Sequence, residues 1–93
     1  MGVELLDMIL RAERSFGVKL RSKDFTRIIQ ASDVHDPTAG DFHEWVCESC
    51  RTDGKPVPHS SWNRVKIIIV NSTGVKPSAV RKQSRLHADL GVG

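Results

Sequence analysis

Apolar residues recur along this chain at helical spacing. Leu5, Ile9, Ala12 and Phe16 lie four, three and four positions apart, which places them on one face of a helix. Leu6 and Leu10 widen that face, while Glu4, Asp7, Arg11 and Arg14 take the other side. The pattern predicts a helix over residues 3–16, stopped at Gly17 with Val18 packing back. Ser22 reads as the N-cap of the next segment, with Asp24 in its first turn. Phe25, Ile28 and Ile29 give that segment an amphipathic turn or two. Ser, Asp, His and Pro then cluster over residues 31–37, which predicts a loop.

Thr38 and Asp41 form a near capping box, with Asp where Glu or Gln is more usual. Phe42, Trp45, Val46 and Cys50 fit one face of a helix over residues 39–51. Gly54, Pro56 and Pro58 make residues 52–60 a linker. Ser60 or Ser61 then caps a segment in which Trp62, Val65 and Ile69 share a face, with Ile68 beside them. The β-branched run at residues 67–70 also suits a strand, but a lone strand has no partner to pair with, so a helix is expected. Thr73, Gly74 and Val75 read as its stop. A short turn follows at residues 77–80, and Leu86 and Leu90 lie four apart in the tail. Four helical segments predict an all-α fold, a small four-helix bundle.

Composition narrows the function classes. With 93 residues and 10.4 kDa, one domain over residues 1–93 is expected, and no two-domain enzyme fits. Hydrophobic content of 39% and charged content of 27% are those of a globular chain rather than a disordered one. Two cysteines are too few for a disulfide framework. The longest apolar run is far short of a membrane span, so no membrane partner is expected. Glu4 and Asp7 stand where a signal peptide would carry its basic region, so a cytoplasmic location is expected.

The net charge of +3 is unevenly divided. Residues 1–50 hold six Lys/Arg and nine Asp/Glu, a net of −3, and residues 51–93 hold eight and two, a net of +6. Two readings follow: a phosphate-facing or nucleic-acid-facing half, or two halves of one bundle that attract each other. The second is preferred at this modest total. The basic stretch containing Lys76, Arg81, Lys82 and Arg85 lacks interleaved aromatics, which sets nucleic acid aside as a first-choice partner.

Other chemistry is sparse. His43, Cys47 and Cys50 share one side of the predicted helix, and with His59 they spell a Cys/His zinc pattern. Zinc knuckles place cysteines on turns, so the expected role of Cys50 is core and that of Cys47 a half-buried thiol, and no metal is expected. No Gly-x-Ser-x-Gly elbow is present, and a small bundle offers little pocket, so enzyme activity is not expected. Trp45 and Trp62 are expected in the core.

The last third reads Trp62-x-x-Val65, an Ile-rich helix, Thr73-Gly74-Val75, a Pro77-Ser78-x-Val80 turn, then Ser84-Arg85-Leu86-x-x-Asp89-Leu90-Gly91. This resembles the first helix and long first loop of the acyl carrier protein family. The opening, from Val3-Glu4-Leu5-Leu6 to Phe16-Gly17-Val18-Lys19-Leu20, resembles that family's second helix and its hydrophobic exit. Residues 22–30 resemble the short third helix and residues 38–51 the fourth. The resemblance covers nearly the whole chain in permuted order: second, third, fourth, then first helix.

The resemblance implies an acyl-carrier-like bundle whose phosphopantetheine site is degenerate. The family attaches that group to a Ser hydroxyl after Asp-Leu-Gly-x-Asp. Here the site falls around Asp89, Leu90, Gly91, Gly93 and Gly2, with Gly2 at the place of the Ser. The expectation is therefore a non-catalytic, carrier-like or protein-interaction domain of acyl or fatty-acid metabolism with no phosphopantetheine loaded. Its implied partners are proteins and an acyl group lodged among Leu5, Leu6, Ile9, Leu10, Ile68 and Ile69. The tail at residues 89–93 is expected beside the start of the first helix, within one molecule or across a swapped homodimer. A basic sequence pI of about 9.2 departs from the acidic family pattern. The alternative class is a small basic helical module that binds nucleic acid or a zinc ion.

Overall fold

The computed structural model describes residues 3–32 and 36–92. Among them are four α-helices, α1 (Val3–Phe16), α2 (Ser22–Ser32), α3 (Ala39–Thr52) and α4 (Ser61–Thr73), followed by one 3-10 turn, Pro77–Ala79. No strand forms among the described residues; one isolated antiparallel bridge joins Thr38 and Arg85. The all-α expectation therefore holds, including the helix at residues 67–70. The second segment is longer than expected, with Ile28 and Ile29 outside the described side chains.

Local chemistry sets the helix ends. Thr38 and Asp41 form the reciprocal capping box of α3: the Asp41 N–H donates to Thr38 Oγ1 at 3.1 Å, and the Thr38 N–H donates to Asp41 Oδ2 at 2.9 Å. The shorter Asp side chain closes the box as Glu does elsewhere. Thr38→Ala removes an acceptor from the orphan amides of the first turn, and an expected loss of about 1 kcal/mol in urea unfolding checks it. At the end of α4, Gly74 takes the left-handed conformation at φ 78° and its N–H donates to Val70 O at 2.8 Å. Gly17 closes α1 through Glu13 O at 2.9 Å. Ser60 precedes α4 without a side-chain capping bond.

α1 pairs with α4, and α2 with α3, while α3 also packs on α4. The α1–α4 pair is antiparallel. Ser72 Oγ donates to Asp7 Oδ2 at 2.6 Å near one end, and Arg64 reaches Ser15 O and lies 5.6 Å from the Phe16 ring centre at the other. The hydrogen bonds from Ser72 and then Arg11 hold the Asp7 carboxyl below its usual value.

One buried cluster takes side chains from α1, α3, α4 and the tail. Phe42, Val46, Val65 and Ile69 are fully enclosed, and Val80, Leu86, Leu90 and Val92 seal one end. Trp45 stacks on Phe25 with ring centres 4.3 Å apart and meets Phe42 edge-on at 5.9 Å. Its indole N–H donates to Arg21 O at 3.0 Å, satisfying the polar end that burial strips of water. The buried Ser49 hydroxyl donates to Trp45 O at 2.8 Å.

Two sequence expectations need correction here. The buried face of α1 centres on Met8 and Ala12, with Leu5, Ile9 and Phe16 half-buried, whereas Leu6 and Leu10 are 54% and 46% exposed. Leu6 and Leu10 therefore line no interior acyl site. The arc that the core covers is thus displaced toward Met8 and away from Leu6 and Leu10. Trp62 is half-buried at the rim rather than core, between the His43 ring at 5.6 Å and the Lys82 ammonium at 5.6 Å.

Candidate functional site

The segment that carries the carrier-like motif is laced to the start of α3. Ala39 N–H donates to Ser84 O, Gly40 N–H to Lys82 O and Leu86 N–H to Pro37 O, each at 2.8 Å. Asp36 adds a side-chain clasp: its carboxylate accepts from His87 N–H at 3.0 Å and Ala88 N–H at 2.9 Å. Within the segment, Asp89 Oδ2 accepts from Arg85 N–H at 2.8 Å, and Val92 N–H donates to Leu86 O at 2.8 Å. Leu90 is buried and Gly91 is exposed. Asp89 therefore works as a local turn cap. Gly2 and Gly93 lie outside the described residues, while Leu90 and Val92 of the tail join the buried cluster that also holds Met8 of α1.

Burial works against the charge on Asp36, but the hydrogen bonds from His87 and Ala88 outweigh it and hold the carboxyl below its usual value. A lowered folded-state pKa stabilises the fold above the unfolded value of about 3.9 and is lost as pH falls through the lower folded value. Asp36→Ala is expected to cost about 1 kcal/mol at pH 7, in the range of a lost cap. Below about pH 4 the gap from the wild type should narrow. Urea unfolding of both proteins at pH 7 and pH 3 measures this, and a pH-independent gap contradicts it.

The zinc pattern does not assemble. His43 Nε2 sits 2.9 Å from Ser61 Oγ and 3.4 Å from Cys47 Sγ. Cys50 is one turn further along α3 in the core, and His59 is exposed in the linker. His43 and Cys50 are seven residues apart, about 10 Å along the axis, and Cys50 belongs to the buried core cluster. Among the described residues, no group of three or more His, Cys, Asp or Glu gathers to hold a metal.

Cys47 is more buried than expected, 4% exposed. Burial raises its thiol pKa despite the Ser61 hydroxyl beside it, and burial followed by Lys82 lowers that of His43. A thiol and a neutral imidazole result, the reverse of the thiolate–imidazolium pair that activates a nucleophilic cysteine. Burial also raises the thiol of Cys50.

The mutual attraction expected of the two halves is seen around residues 51 and 53, where Arg51 meets Glu44 and Glu48 and Asp53 meets Arg21. Among the described residues, the ion pairs join Arg11 to Asp7, Arg21 to Asp53, Arg27 to Asp24 and Glu48, and Arg51 to Glu44 and Glu48. All lie within residues 7–53. Residues 54–88 contain seven Lys/Arg and no Asp or Glu, and the ion pairs named above include none of those seven. Instead Arg64 rests on Phe16, Lys82 on Trp62, and Lys55 donates to Gly17 O.

The outer side of α4 adds a feature that the sequence reading missed. Asn63, Lys66, Ile67, Val70, Asn71 and Pro77 line an open groove of about 480 Å³. Ile67 is 58% exposed there. The signal was the spacing of residues 63, 66, 67, 70 and 71, a second helical face that the apolar run at residues 67–70 concealed. No helix among the described residues is long and apolar enough to cross a membrane. No family model, curated protein or solved structure matches this chain.

Proposed function

We propose that this chain is a non-catalytic interaction module with an acyl-carrier-like bundle in permuted order, not loaded with phosphopantetheine. The observation that supports it is the use made of the carrier-like segment. Leu86, Leu90 and Val92 are buried in the core, and Asp89 caps its own turn. The sequence supplies glycine where a modifiable Ser is expected. Without a hydroxyl there is no nucleophile to take the phosphopantetheinyl group from coenzyme A. The module then acts through its surface, on protein partners.

Incubation with a phosphopantetheinyl transferase and coenzyme A, followed by intact-mass measurement, tests the reading. The mass is expected to stay unchanged. A gain of one phosphopantetheine arm overturns it.

A further inference from the structure

We infer that the groove on the outer side of α4 binds an acidic amphipathic helical segment of a partner protein. This rests on the interaction-module part of the proposed function and is independent of the absence of loading. Three observations carry it.

The first is the chemistry of the groove. Ile67, Val70 and Pro77 supply an apolar floor, while Asn63, Lys66 and Asn71 supply donors around it. A volume of about 480 Å³ is within the range of sites that enclose several side chains. The lining positions on α4 recur at three- and four-residue intervals, so the floor runs along the helix axis. Such a floor matches a ligand whose apolar groups repeat at i, i+3 or i+4, and i+7.

The second is the field around it. The groove lies within the acid-free run at residues 54–88, and no Asp or Glu lines it. Lys66 lines the groove and Lys76 precedes Pro77. Complementary potential selects an acidic ligand and repels a basic one.

The third separates peptide from nucleic acid. Single strands bind where aromatic rings stack with bases. Here Trp45 is buried, Trp62 is half-buried between His43 and Lys82, and Phe16 lies against Arg64. The groove itself presents aliphatic side chains, which suit leucine-like anchors.

The test is a titration of the ¹⁵N-labelled full chain, followed by its amide resonances. The probe is a synthetic peptide of about 14 residues with Leu at helical i, i+3/i+4 spacing and Asp or Glu between. One control replaces the acids by Gln and Asn, a second replaces Leu by Ser, and a third is a single-stranded RNA oligonucleotide. The amides of Asn63, Lys66, Ile67, Val70 and Asn71 are expected to shift with the first peptide. Affinity should fall about tenfold with either control peptide, with Ile67→Asp and with Lys66→Glu. Both substitutions are at solvent-reaching positions and should leave the remaining spectrum folded. The inference is overturned if the peptide produces no shift at millimolar concentration. It is also overturned if the shifts map to Val3, Leu6 and Leu10 of α1, or if RNA moves the α4 face more strongly than the peptide. Mass measurement after transferase treatment reports on loading alone, so the two readings fail separately.

Discussion

Replacing Phe42 by Ala is expected to cost about 3–5 kcal/mol, the range for truncating a fully enclosed aromatic side chain. A chain of this length has about 5–14 kcal/mol of stability in all, so the loss takes at least about a fifth of it. The reason lies in its surroundings. Phe42 is 0% exposed and meets Trp45 edge-on. The capping box fixes the helix start four residues before it, so the backbone cannot slide to refill the space. The matched control is Ile67→Ala, which removes a comparably apolar side chain from an exposed position and should change stability by less than about 0.5 kcal/mol. Thermal unfolding separates them, with a fall of more than about 12 °C expected for Phe42→Ala. Equal effects at the two positions contradict the packing described above.

Gly40→Ala is expected to destabilise, although helix propensity argues for a gain. Within a helix, Ala normally improves on Gly by about 0.5–1 kcal/mol. At this position a Cβ atom falls 2.8 Å from Lys82 O and 3.3 Å from Lys82 Cβ. The obstructing carbonyl is also the acceptor of the Gly40 N–H, so retreat of the tail weakens that bond. The adjoining bonds from Ala39 to Ser84 and from Leu86 to Pro37 are strained with it. Overpacking of this kind costs about 1–3 kcal/mol, enough to reverse the propensity gain. Urea unfolding gives the sign, and amide exchange at Ala39, Gly40 and Leu86 should quicken together. A more stable variant contradicts the close approach of tail and α3.

The elements were legible because their signals are local. Gly17 and Gly74 mark two helix ends, Thr38 and Asp41 mark a start, and the spacing of Phe42, Trp45, Val46 and Cys50 marks a buried face. Facing was less legible. Periodicity finds the apolar arc of α1 but does not say which edge α4 covers, and so it favoured Leu6 and Leu10 over Met8. The zinc pattern failed for a related reason. Residues that share a helix side can still be two turns apart along its axis, as His43 and Cys50 are. The groove was hidden because Ile67 lies in a run that reads as uniformly buried. Charge was half legible: the totals showed asymmetry, but only the structure shows which acids the arginines at residues 11, 21, 27 and 51 meet, two of them across more than twenty positions.

The pairing of α1 with α4 bears on how the chain comes to fold. The hydrogen bond between Asp7 and Ser72 spans 65 positions. During synthesis at about 5–20 residues per second, α1 precedes its main partner by several seconds. Throughout that interval Met8 has no α4 surface to cover it, and α2 and α3 can assemble with each other first. Closing so long a loop is an entropic cost met before the contact rewards it. Docking of α1 onto α4 is thus a late event, and the apolar arc of the nascent first helix stays open to solvent until α4 has been made.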